Sequence, residues 1–431
     1  RTLLATPLPP ATLSRMIDQS PELVEAFLAL LQRHTRLQEE HAQALDRLHG
    51  DSDPRSADSQ SAASAASAAN AASGVGGAPG AARAADDRQS PARLVPSPMP
   101  PEAVRDYLNR RDNYLDALDR LAEALAGDSA LMPGQRSLTL ARRLAEDAGL
   151  QVRLVSDDEA EGRLRQLDRS RHCLDIPASL SDAQQAFQIA TQYALEVHAG
   201  PINAEVRDSG FVDPATVALA RQGLAHYFAG ALVLPYRRFL AEAQASRYDI
   251  ELLQRRFHVG FETVCHRLST LQRPGERGVP FYFVRLDQAG NISKRQSASA
   301  FHFARYGGAC PLWHVHEAFA QPERILTQVV EMPDGSRFFG IARTTSRGGG
   351  GFRSRRKAFA VGLGCELSRA ADLVYADGID PAAPRDVVPI GPGCRVCPRG
   401  DCVQRAFPPA GKALLADTDV ESLVPFRHVG D

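Results

Sequence analysis

"FYFVRLDQAGNISKR", residues 281–295, decides how the chain is read. An aromatic and β-branched run meets Gln288-Ala289-Gly290, and a polar return follows, which is the pattern of a hairpin. A second hairpin is expected in "ILTQVVEMPDGSRFFGIARTT" (325–345), turning at Pro333-Asp334-Gly335. Everything before Val279 reads mostly as helix. The order helix, strand, helices, then hairpins predicts an α+β fold rather than a βαβ sheet.

Working back from the first hairpin, the segment between Ser181 and Leu271 reads as a block of helices. Within it, "DIELLQRRFHVGFETVCHRLSTL" (249–271) has helix-turn-helix spacing around Val259-Gly260. Phe261, Val264, Leu268 and Leu271 share a face that suits burial, so a packed helical pair is expected and no DNA contact is assigned. "QVRLV" (151–155) and "HCLDIP" (172–177) read as short strands, and one amphipathic helix is expected from Glu102 to Ala126. Residues 51–94, rich in Ala, Ser and Gly, cannot bury enough to fold and read as a disordered linker. Before it, residues 1–50 hold a helix with a heptad-like seam from Leu23 to Leu48, a candidate connector or dimer contact. Two further domains are expected, a helical one over 95–275 and a sensor over 276–431.

A formal net charge of -1 with 23% charged residues excludes a nucleic-acid coat or a membrane-surface protein. No apolar run reaches the length of a spanning helix, and the opening lacks a secretory signal, so a cytoplasmic protein is expected. The chain starts at Arg1 and reads as a fragment. No dinucleotide fingerprint or Walker loop occurs; "RGGGGF" has the glycines without the lysine or helix context and reads as a flexible loop.

Three of the seven cysteines crowd into "GCRVCPRGDCVQRAF" (393–407), spaced C-x2-C-x4-C. That is too close for independent disulfides, and a chain of this size needs no staples. Structural zinc sites usually bring two close pairs. Cys394, Cys397 and Cys402 with Cys365 as a distant fourth make a 3+1 set, which favours a [4Fe–4S] cluster over zinc. Cys173, Cys265 and Cys310 stand singly among apolar neighbours and read as core.

"AFQIATQYALEVHAG" (186–200) and "ARQGLAHYFAGALVLPYRRF" (220–239) resemble the paired helices of the IrrE-like metallopeptidases. In that family the first helix carries His-Glu-x-x-His and the second an acidic ligand. The matching stretch here is Thr191-Gln192-Tyr193-Ala194-Leu195, with Gln222 at the acid's place, so no peptidase activity is expected. The alternating histidines of "WHVHE" (313–317) lack a third ligand and read as a pocket wall or core.

Taken together, residues 247–295, "FHFARYGGACPLWHVHEAF" (301–319) and "GPGCRVCPRGDCVQRAFPP" (391–409) resemble the short-chain fatty acyl transcriptional regulators. The resemblance implies a degenerate peptidase-like domain that binds a short-chain acyl-CoA, C-terminal cysteines that hold an iron–sulfur cluster, and a homodimer or higher homo-oligomer. It also implies operator DNA bound through an N-terminal helix-turn-helix that this chain lacks. Tyr193, Arg267, Lys294, Arg295, Phe303, Arg305 and Tyr306 are then the expected effector contacts, with Arg355, Arg356 and Lys357 in reach of the nucleotide end. The alternative is an iron–sulfur or four-cysteine zinc oxidoreductase, for which no flavin or nicotinamide motif is present.

Overall fold

The computed structural model describes residues 99–427 apart from 129–130, 133, 302–308, 348–356, 383–384, 410–413 and 417. The expected helix and linker of residues 1–94 lie outside the described residues. Those described form two compact units, 99–392 and 393–427.

The fold is α+β, as the sequence predicts. The helix expected over 102–126 is in fact two, α1 (Pro100–Asn109) and α2 (Asp116–Asp128). The chain between them turns through Asp112 and Asn113, both at positive φ, and the Asn113 amide donates to the Leu108 carbonyl. Asp and Asn tolerate this left-handed conformation better than most residues. The apolar stripe also has a gap between Leu108 and Leu115, so nothing compels the helix to continue.

After α3 (Arg136–Ala148), β1 (Gln151–Val155) pairs in parallel with β3 (Cys173–Pro177), and β2 (Gln166–Asp168) runs antiparallel on the other side of β3. A one-turn helix, α4 (Asp157–Ala160), lies in the crossover. The helical block then follows: α5 (Asp182–Glu196), α6 (Ala199–Asp208), α7 (Pro214–Val233), α8 (Tyr236–Ala245), α9 (Ile250–Phe257) and α10 (Phe261–Leu268). Ser181 and Gln184 form a reciprocal capping box that starts α5. Asp213 caps α7 and Pro214 occupies its first turn. α7 packs against α5, α2 and α1, and its second half is buried nearly all round. The α9–α10 pair is the packed pair expected, with Phe261, Val264, Cys265 and Leu268 buried.

A buried polar network ties the block together. Arg267 on α10 makes two bonds to Asp119 on α2, 2.8 and 2.9 Å, while the Tyr227 hydroxyl on α7 donates to the same carboxylate at 2.7 Å. Three helices distant in sequence thus converge on one carboxylate.

After the short pair β4 (Gln272–Arg273) and β5 (Glu276–Arg277), both expected hairpins form. β6 (Tyr282–Leu286) and β7 (Ile292–Ser297) make the first; β8 (Leu326–Glu331) and β9 (Arg337–Arg347) make the second. With β10 (Lys357–Glu366) and β11 (Val388–Pro389) they build a six-stranded sheet in the order β11-β8-β9-β10-β6-β7. Period-two alternation divides its residues between two cores. Phe283, Phe339, Ile341, Val361, Leu363 and Cys365 join the large core shared with the helices. Tyr282, Val284, Phe338 and Ala360 join a second core with Phe301, Trp313 and Val315. The Tyr282 ring lies over Gly340 and Gly364, where a Cβ on either would collide with its hydroxyl. Glycine at those strand positions is therefore required by packing, not by backbone conformation.

Candidate functional site

The face of α5 that begins the site carries Gln188, Thr191, Gln192 and Leu195. Thr191 is buried and its hydroxyl donates back to the Phe187 carbonyl at 2.7 Å. Gln192 donates to Glu196 at 2.9 Å, and its side-chain carbonyl accepts from Arg165 Nε at 3.3 Å. Arg165, between α4 and β2, also donates to the Gln188 side-chain carbonyl at 3.1 Å. Gln222, on α7, is exposed. One helical turn further along α7, His226 packs its ring on Phe187 at 5.6 Å.

Two more groups complete the cluster from the other side. His266, in the last turn of α10, meets the Phe283 ring edge-on at 5.6 Å. Lys294, on β7, sets its ammonium 5.7 Å from the same ring. Arg165, His226, His266 and Lys294 are each half-buried.

The electrostatics of the cluster share one sign. Burial pushes His226 down to about 4, and the positive charges of Arg165 and Lys294 push the same way. His266 is held well below the usual imidazole range by burial, then by Lys294, Arg267, His226 and Arg285. Burial also lowers Arg165. Both imidazoles are therefore neutral at pH 7 in the free protein.

Of the residues assigned to the effector from sequence, Lys294 is in this cluster. Three more are engaged inside the fold. Tyr193 is a core residue whose hydroxyl donates to Asp147 at 2.5 Å, Arg267 is the buried partner of Asp119, and Arg295 pairs with Glu102 at 2.6 Å. Phe303, Arg305, Tyr306, Arg355 and Arg356 lie outside the described residues; Lys357 is exposed at the start of β10. Arg165, His226 and His266 were missed. A signal for one existed, since His226 follows Gln222 by four residues on a helix already singled out.

The cysteine loop belongs to the unit 393–427. Its organiser is Arg405, 5% exposed, whose guanidinium donates to the carbonyls of Cys394 at 2.8 Å and Cys397 at 3.1 Å, and to that of Arg399. Arg395 lies 4.9 Å from the Phe407 ring, and the Ala406 amide donates to Cys394 Sγ at 3.5 Å. Burial pushes the Cys397 thiol up, against the pull of the Arg399 amide and the Arg405 and Arg399 charges. Cys365 stands in the other unit, fully buried on β10, its thiol pushed up to about 12 by burial. Among the described residues, no group of three or more His, Cys, Asp or Glu is arranged to hold a metal ion. The gathered four-thiol set expected from sequence is thus not seen.

Cys265 and Cys310 are buried core residues as expected, while Cys173 is half-buried beside Asp175. His314 is buried, bonded through Nδ1 to Gln328 at 3.0 Å, and sits in the packing of the second core's loop rather than on a metal.

The sequence and structure match known proteins over both halves of the described region. Residues 145–269 match the IrrE N-terminal-like domain, and residues 270–426 match the short-chain fatty acyl coenzyme A regulator, C-terminal. The HTH-type transcriptional regulator PrpR of Mycobacterium tuberculosis is 48% identical over 342 residues, 79% of this chain and 69% of that protein. The chain belongs to the short-chain fatty acyl coenzyme A regulators. Among relatives of this regulator, the propionyl-CoA carboxylase regulator of Cereibacter sphaeroides is 44% identical over 78% of this chain and 71% of that protein. The HTH-type transcriptional regulator RamB of M. tuberculosis is 46% identical over 76% and 69%. A solved M. tuberculosis transcriptional regulator superposes with a TM-score of 0.71 at 50% identity, covering 76% of this chain and 99% of that one. Among the described residues no single helix is long and apolar enough to cross a membrane.

Proposed function

We propose that this regulator is the sensing part of a cytoplasmic transcription factor for short-chain fatty acid metabolism, with a short acyl-CoA as effector. The observation that carries the reading is the match to PrpR at 48% identity across both halves, which includes the peptidase-like helices. Thr191, Gln192 and Leu195 offer neither zinc ligands nor a general base, so those helices serve binding rather than hydrolysis. Operator DNA is contacted through a helix-turn-helix other than α9–α10, whose second helix is buried. A homodimer would let effector binding change the spacing of two such modules. Saturating propionyl-CoA is expected to raise the melting temperature of the chain while free propionate leaves it unchanged. Equal melting temperatures with and without the thioester would remove the reading.

The proposal includes an iron–sulfur cluster held by Cys394, Cys397 and Cys402, with Cys365 as fourth thiolate. The loop's donors fit: three soft ligands lie on one short segment whose carbonyls are already organised by Arg405. Cys365 fits only once deprotonated, which coordination itself achieves. When bound, such a cluster would supply a redox-responsive tie for the loop. Iron and sulfide should be recovered after anaerobic purification and lost in Cys397→Ser. Cys365→Ser is the sharper test, since full iron retention would move the fourth ligand elsewhere.

A further inference from the structure

Helix α1 touches both halves of the fold but shares little core with either. Of its ten residues only Tyr107 is buried, and no side chain caps its start. Beneath it lies a small hollow, lined by Val104, Tyr107 and Leu108 from α1 and by Val206, Phe211 and Leu224 across from them. Contact there is incomplete, so part of the dispersion attraction is forfeited. At its far end the chain turns through Asp112 and Asn113, at φ of 51° and 57°. Asn113 is 1% exposed, and neither polar atom of its side-chain amide is paired among the described residues. A buried amide left so is costly.

Two polar fastenings hold the helix instead. Arg295 on β7 donates to Glu102 at 2.6 Å, and with 6% and 12% of these side chains exposed the pair is screened less than a surface one. The Tyr107 hydroxyl donates to the Glu205 carboxylate on α6, also at 2.6 Å. Weaker contacts flank them: the Ser297 amide on β7 donates to Asn109 Oδ1 at 3.4 Å, and the Phe211 ring lies 5.7 Å from that of Tyr107. One fastening therefore reaches the sensor sheet and the other the peptidase-like helices. Both close at hydrogen-bond distance only while sheet and helices keep this seating. Residues 1–98 join the body through α1.

We propose that α1 is a releasable strap across the two halves, fastened by Glu102–Arg295 and Tyr107–Glu205, which opens as a unit while the rest of the chain stays folded. Its opening follows how the sensor sheet sits on the helices and passes that seating to residues 1–98. Only the link to effector rests on the acyl-CoA reading above. A ligand that favours the seating described here favours the closed strap, and it acts through its difference in affinity between the two states.

The test is hydrogen–deuterium exchange of the full chain, with and without saturating propionyl-CoA, beside melting curves. In the parent, amides of 100–109 should exchange about tenfold or more faster than those of the buried half of α7, the mark of local rather than global opening. Glu102→Gln and Tyr107→Phe should each quicken α1 by about tenfold, the scale of one hydrogen bond to a charged group, and leave α7 unchanged. Propionyl-CoA should slow α1 in the parent by about fivefold or more, the lower end of ordinary coupling between sites. That slowing should shrink in Glu102→Gln, which cuts the tie to the sheet, a readout that a merely structural contact would not move. Exchange of α1 at the rate of α7, or variants that leave α1 unchanged, would overturn the strap. A raised melting temperature with propionyl-CoA and no change at α1 would overturn its coupling and leave effector sensing intact. Loosened variants with no thermal response to propionyl-CoA would do the reverse, keeping the strap and removing the effector.

Discussion

Replacing Asp119 by Asn tests whether the helical block is held as described. The carboxylate is fully buried and bonds Arg267, itself 3% exposed, at 2.8 and 2.9 Å. Asparagine keeps the shape and removes the charge. Arg273, 3.7 Å away, retains Glu123 at 2.9 Å and Glu276 at 3.2 Å, so the loss falls on Arg267. Its remaining recorded partners are the Leu234 carbonyl and the Thr270 hydroxyl, which are neutral. Leaving a buried cation uncompensated costs about 3–5 kcal/mol. That is a large fraction of the stability of an ordinary domain. Urea unfolding followed by circular dichroism reads the loss as a lowered midpoint at unchanged slope. The double variant Asp119→Asn with Arg267→Met should regain most of it, because the cation is then gone as well. An Asp119→Asn protein within about 1 kcal/mol of the parent would refute the argument, since a pair that weak is typical of the surface.

Three further outcomes follow from particular contacts. Gly364→Ala drives a methyl into the Tyr282 hydroxyl and the Phe339 carbonyl, and should cost about 1–3 kcal/mol by thermal unfolding, the range for overpacking. Arg405→Ala removes the guanidinium that gathers three loop carbonyls, so amide exchange across 393–407 should quicken. His314 is pushed down to about 4 by burial, so the unfolded chain binds its proton first. This contribution is present above the ordinary imidazole value near 6.5 and is lost as pH falls toward 4, on the order of 3 kcal/mol. His314→Gln should flatten that limb of the stability–pH curve, and an unchanged slope would show the residue to be solvated.

The hairpins were legible because both their signals are local. Alternation and a glycine turn lie within fifteen residues in "FYFVRLDQAGNISKR", and the structure follows them. The break between α1 and α2 was not, because "RRDN" permits helix or turn and the choice is made by packing. The Leu115 amide donates to the Tyr227 hydroxyl, 112 positions away. The same distance in sequence explains the site. Arg267 has the residue type of a phosphate ligand, and only Asp119, 148 positions earlier, turns it into a core residue. Tyr193 likewise stands on the right helix, but Asp147 holds its hydroxyl. Arg165 shows the same limit, since the bonds that hold it to Gln188 and Gln192, 23 and 27 positions later, exist only after folding.

The peptidase-like helices keep the scaffold of that family but not its metal-binding face. A metallopeptidase places a divalent cation on the face of the first helix, where it polarises a bound oxygen. Here the equivalent face offers Gln188 and Gln192, whose carbonyls orient Arg165 across it, while His226 faces it from α7. A guanidinium held there is a donor only and has no lone pair with which to take a proton from water. Restoring one histidine would therefore not restore hydrolysis. Thr191→His with Gln192→Glu and Leu195→His would have to displace Arg165 before zinc could sit there, so calorimetric zinc binding should stay weak until Arg165→Ala is added. A triple variant that bound zinc tightly with Arg165 in place would break the argument.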